Sequence, residues 1–107
     1  MRAGALRERL TIQCLAGVVT NDLGETAEQW ETVKAMRGQL VEQTASESVE
    51  ASGVAAVTSL VFRMRFLPGL TVAHRIVHEG RTLDVVEIKE LGRRGGHEVR
   101  CTVRGLS

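Results

Sequence analysis

Apolar and polar residues alternate along most of this chain, and the alternation is clearest in "LVFRMRF", residues 60–66. Leu60, Phe62, Met64 and Phe66 share one phase, and Val61, Arg63 and Arg65 share the other. Successive side chains of a strand point to opposite faces, so this stretch predicts a strand with one greasy face. Strand 57–67 is the strongest in the chain. Residues 6–15 predict a first strand, with Leu10, Ile12 and Cys14 opposed to Arg9, Thr11 and Gln13. Trp30 opens a second, "WETVKAMRGQLVEQ", whose phase changes along its length; a bulge near Gly38 would account for that. Residues 71–78 and 82–91 predict a hairpin around Glu79-Gly80, with Pro68-Gly69 as the turn before it. Val99, Cys101 and Val103 alternate with Arg100, Thr102 and Arg104 in a last strand after the flexible turn "GRRGG", 92–96.

Two segments break the alternation. Residues 16–29, "AGVVTNDLGETAEQ", have turn chemistry at Asn21, Asp22 and Gly24 and no sustained period, which predicts a long mobile loop. Residues 44–56, "TASESVEASGVAA", predict the one short helix: Thr44 and Glu47 fit a capping box, and acidic residues favour the positive end of the helix dipole. The expected architecture is mainly β, a small antiparallel β-barrel of about six strands with one short helix and a long mobile loop. Its 107 residues suffice for a single domain spanning 1–107.

Composition narrows the function. The hydrophobic fraction of 43% and charged fraction of 25% are ordinary for a globular protein. No stretch approaches the apolar length that spans a bilayer, and the charged N-terminus has no secretory core, so the chain is expected to stay in the cytoplasm where it is made. Two cysteines in that compartment predict buried thiols more than a disulfide. Net charge is only +1, which argues against a general polyanion binder. Reading single-stranded nucleic acid takes accessible aromatics beside cations, whereas Phe62 and Phe66 point away from Arg63 and Arg65. The phase separation favours a barrel wall.

Candidate chemistry is sparse. His74 and His78 have a metal-like spacing only on a helix, no further ligand completes a set, and they predict partly exposed strand residues. His97 predicts a solvated loop residue. No nucleophile elbow, phosphate-cradling loop or carboxylate dyad is found, so no catalytic residue, cofactor or metal is assigned. Two places could meet a partner. Arg93 and Arg94 in "GRRGG" could present guanidinium groups to phosphate or an acidic protein, although a solvated tip is the simpler reading. Val18, Val19 and Leu23 on the 16–29 segment either fold over the core or wait for a partner, and the balance tips towards a partner.

The order of these pieces resembles the bacteriophage head–tail joining proteins, also called head–tail adaptors or head closure proteins. The opening "MRAGALRERLTIQ", a long polar loop into "WETVKAMRGQL", the segment "TASESVEAS", the strand "SLVFRMRF", the hairpin "RIVHEGRTLDVVEIKE" and the closing "HEVRCTVRG" follow that layout over nearly the whole length. Leu83, after the hairpin turn, stands where many members have an aromatic, and the strand after Trp30 lacks a second aromatic. The resemblance implies a non-enzymatic structural protein of a phage or prophage. It would sit in the virion neck, assembled in the bacterial host cytoplasm as a ring between portal complex and tail. The ring would close the filled head and provide the tail docking surface. Its implied partners are portal-side neck proteins, tail proteins and other copies of itself. The isolated chain would be a monomer in dilute solution; contact with packaged DNA in the channel is left open, and no membrane is involved. Alternatives from the residues are a small-barrel nucleic-acid-binding module of OB or SH3-like type, another phage neck or tail completion protein, or a small hydrolase.

Overall fold

A computed structural model of the chain describes residues 5–50 and 53–103, with the backbone alone described over 46–50 and 53–56. Six antiparallel strands make up the fold: β1 (Glu8–Thr20), β2 (Thr26–Glu50), β3 (Gly53–Met64), β4 (Arg75–His78), β5 (Arg81–Leu91) and β6 (Gly96–Val103). They hydrogen-bond in the order β1-β2-β3-β6-β5-β4, and the ring closes where β1 meets β4. That closing seam is short, with the rungs Thr11↔Val77, Ile12↔Ile76 and Gln13↔Arg75.

The inward phase read from the sequence forms the core. Leu60, Phe62 and Met64 are fully buried, together with Leu10, Ile12, Ile76, Leu83, Val99 and Cys101. Leu83 thus fills the interior from the position where an aromatic was expected. Arg63 and Arg65 stand outside, and Arg63 Nε donates to Glu98 Oε1 at 3.1 Å across a direct β3–β6 pair. Phe66, past the end of β3, is only half-buried.

The two segments expected to break the strand pattern instead extend it. Residues 16–20 continue β1 and 26–29 begin β2, paired through Val18↔Glu28 and Val19↔Ala27, so the loop shrinks to 21–25. A register shift between Leu15 and Gly17 and another between Ile12 and Gln13 explain why the alternation was lost to view. The expected helix at 44–56 is also a hairpin. Residues 44–50 pair with 53–59 from Thr44↔Ser59 to Glu50↔Gly53, and its turn, 51–52, lies outside the described residues. Serine, threonine and valine are indifferent helix formers, a short helix is marginal, and a waiting strand offers a full ladder of hydrogen bonds. The phase change expected near Gly38 is a shift between Leu40 and Glu42. Residues 71–74 form a turn rather than strand, with His74 N–H donating to the Thr71 carbonyl at 3.1 Å.

Each of these hairpins runs past the closed part of the sheet. Beyond Gln13, β1 has β2 alone as a neighbour, and before Ser59, β3 has β2 alone. Two-stranded ribbons therefore leave the ring at the two ends of β2. Twenty-five residues in β2 would reach about 80 Å if straight, yet the longest dimension of the molecule is 49 Å. β2 must curve strongly, and its register shifts are where such curvature is generated.

Candidate functional site

The tip of the first ribbon is built by one side chain. Asn21 Oδ1 accepts hydrogen bonds from the N–H groups of Leu23 at 2.9 Å and Glu25 at 3.0 Å. The Asn21 N–H donates to the Glu25 carbonyl at 2.9 Å, and Gly24 takes the left-handed φ of 81° that the turn requires. This leaves Leu23 on the outside, 83% exposed, with Val18 at 59% and Val19 at 48%. Val18 and Val19, being adjacent, occupy opposite faces of the ribbon. At the root, Trp30 lies opposite Leu15, and the Arg75 guanidinium carbon sits 4.1 Å from the Trp30 ring centre. Arg75 Nε also donates to Gln13 Oε1 at 2.7 Å. The ribbon leaves the ring from a braced base, with its apolar groups towards the tip.

The turn carrying Arg93 and Arg94 belongs to a second surface. Gly92 and Arg94 both take left-handed φ, 61° and 56°, and the Gly95 N–H donates to the Leu91 carbonyl at 3.0 Å. Arg94 reaches over Phe66, its guanidinium carbon 5.7 Å from the ring centre, while His97 packs at 4.7 Å against that ring. The result is a stack of Arg94, Phe66 and His97 that draws together residues about 30 positions apart in sequence. Phe66 also lines a groove of about 470 Å³ with Leu6, Lys34, Met36, Arg37 and Arg65. Arg94 is thus held against the groove's aromatic wall, and Arg93 beside it is exposed. The structure does not bring Val18, Val19 and Leu23 into contact with Arg93 and Arg94: the two sets mark the ribbon tip and the turn.

The histidines differ from expectation. His97 is buried, and its Nδ1 accepts the Leu67 N–H at 3.3 Å. Burial lowers its pKa, against the opposing pull of Glu90, and the neutral ring is the form that can accept that bond. His78 is buried too, edge-on to Phe62 at 5.0 Å, with Nε2 2.8 Å from Glu8 Oε1. The alternation of β4 does carry this signal, because His78 shares the inward phase of the buried Ile76. Donor atoms of Glu8, His78 and Glu79 lie within 4.8 Å of one another, a set able in principle to hold a cation. Arg7 and Arg9 line the same pocket, which opposes a second positive charge, and the His78 Nδ1 lacks the hydrogen-bond partner that steadies a ligating imidazole. The contact is better understood as a strut from β1 to the β4–β5 hairpin.

Both cysteines are free. Burial, reinforced by Asp84, pushes the Cys101 thiol up to about 12, so no thiolate is available there at neutral pH. Cys14 is half-buried on the first ribbon. A disulfide reagent in excess should therefore titrate one thiol in the native protein and two after unfolding in guanidinium. Rapid native labelling of both would contradict the buried placement of Cys101.

A family model described as phage head completion protein matches residues 1–104. No curated protein matches the chain. Among solved structures, a chain of the virion of a native gene transfer agent particle is similar with a TM-score of 0.63 at 16% identity, covering 92% of each chain. A Shigella flexneri 2a protein solved in solution gives a TM-score of 0.63 at 21% identity, covering 100% of both. The phage-like element PBSX protein xkdH from Bacillus subtilis gives 0.57 at 11% identity, covering 91% of this chain and 93% of that one. At these identities the likeness speaks for the fold.

Proposed function

The chain belongs to the phage head completion protein family, and from that premise we propose that it is a structural component of the virion neck. In this reading residues 1–107 act as one adaptor domain that assembles as a ring between the portal complex and the tail, closing the filled head and providing the surface on which the tail docks. It meets portal-side neck proteins, tail proteins and other copies of itself, is assembled in the host cytoplasm, and is a monomer in dilute solution. Val18, Val19, Leu23, Arg93 and Arg94 are its partner-binding residues, and no catalytic step is part of the role.

The observation that carries the proposal is the pair of ribbons leaving the closed sheet at opposite ends of β2. Subunits of a ring join head to tail, through two unlike patches on each copy. A two-stranded ribbon in water is marginally stable, so it gains most when a third surface covers it. The closed sheet supplies the body from which the two ribbons extend, one at each end of β2.

Heads packaged in an extract lacking this protein test the reading. Electron microscopy should show filled heads that lose DNA on dilution and carry no tails, and adding the purified chain should restore both retention and tailing. Full retention and normal tailing without the protein would overturn the proposal.

A further inference from the structure

The charges of the chain are unevenly shared. Residues 38–62, which hold the whole second ribbon, contain Glu42, Glu47 and Glu50 and no lysine, arginine or histidine. The groove at Leu6, Lys34, Met36, Arg37, Arg65 and Phe66 has the opposite character. Its three cations are exposed, and none of them forms an ion pair with a carboxylate among the described residues. Its floor is apolar. The sequence of the ribbon offers a match for that as well, in Val49, Val54, Ala55, Ala56 and Val57.

We propose that the acidic second ribbon of one copy seats in the basic groove of the next copy. This rests on the ring reading above and names the contact that would build it. The backbone supports such seating. Over residues 26–37, β2 is paired with β1 on one edge and has no strand on the other, and that open edge passes the groove at Lys34, Met36 and Arg37. Likewise, β3 before Ser59 has an open edge facing away from β2. Open edges carry unpaired N–H and C=O groups that an incoming strand can satisfy. Seven paired residues give the ribbon a length of about 23 Å, enough to run along the groove. Ribbon and groove are different surfaces of one chain, so their union is head to tail and propagates to further copies. A phosphate backbone would satisfy the three cations but leave the half-buried Met36 and Phe66 uncovered, whereas the ribbon addresses both.

Reciprocal charge exchange tests this. One variant carries Glu47→Lys and Glu50→Lys; the other carries Arg37→Glu and Arg65→Glu. Arg37 and Arg65 are exposed, so their replacement leaves the core untouched. Self-association is followed by sedimentation velocity at raised concentration and low salt. Each variant alone should associate about tenfold or more weakly than the wild type, while an equimolar mixture, in which every ribbon again faces an opposite charge, should approach wild-type strength. Variants that associate like the wild type when alone, or no better when mixed, would overturn the pairing and leave the ring reading standing. A wild type that stays monomeric at every concentration, and also on isolated portal-side neck complexes, would overturn both. A short DNA duplex that binds the wild type and loses affinity for the Arg37→Glu/Arg65→Glu variant, with self-association unchanged, would assign the groove to phosphates and overturn the proposal too.

Discussion

Phe62→Ala is expected to cost the protein a large share of its folding stability. Phe62 is fully buried at the centre of the core, edge-on to His78 at 5.0 Å, and flanked in its strand by the buried Leu60 and Met64. Removing the ring forfeits its transfer free energy and leaves a cavity that neighbouring strands, fixed by their ladders, cannot close. Such truncations cost about 3–5 kcal/mol, against a total stability of about 5–15 kcal/mol for a small protein. For a chain of this length the midpoint should fall by about 12–25 °C. Thermal unfolding followed by circular dichroism reads this directly. Phe66→Ala is the comparison: Phe66 is half-buried and outside the core cluster, so its loss should shift the midpoint far less. Equal shifts for the two phenylalanines would mean that the alternation in 60–66 does not separate inside from outside.

The second large effect is on assembly rather than folding. Val18→Asp combined with Leu23→Asp should weaken binding to portal-side neck complexes by about thirtyfold or more, in line with losing a central apolar anchor. Both residues are largely exposed, so neither substitution opens a cavity. Asn21 and Gly24, which make the turn, are untouched. An aspartate in a half-exposed strand costs at most about 1 kcal/mol. Unfolding midpoint and neck binding should therefore separate, the first nearly unchanged and the second lost. Tailed-particle yields equal to wild type with this double variant would remove the ribbon tip from the interface.

What the sequence made legible follows from regularity. Strands 60–64 and 99–103 pair with each other without a register shift, so their inward phase could be read from the alternation and was right at Leu60, Phe62, Met64, Val99 and Cys101, although Val61, on the outward phase with Arg63 and Arg65, is buried as well. The ribbons were not legible. In the first, register shifts interrupt the period of two over 12–17, and what remained looked like a loop. In the second, Thr44 and Glu47 are spaced as a capping box, a local signal that yields to the pairing with 53–59. Tertiary supply of a partner strand overrode local preference. The groove was invisible for a different reason: Leu6, Lys34, Met36, Arg37, Arg65 and Phe66 come from three separate segments, and no spacing along the chain links them. Arg94 was singled out for its charge, but its place over Phe66 depends on the fold.

The strand order has a consequence for biosynthesis. β6, the last strand among the described residues, lies between β3 and β5 and is hydrogen-bonded to both. Until it has emerged from the ribosome, the strands already made form an open sheet, β3-β2-β1-β4-β5, whose two arms are joined by the short β1–β4 seam alone and whose greasy face is bare. A stop codon introduced before Gly96 would therefore not trim a tail; it would remove the central plank and leave the ring open.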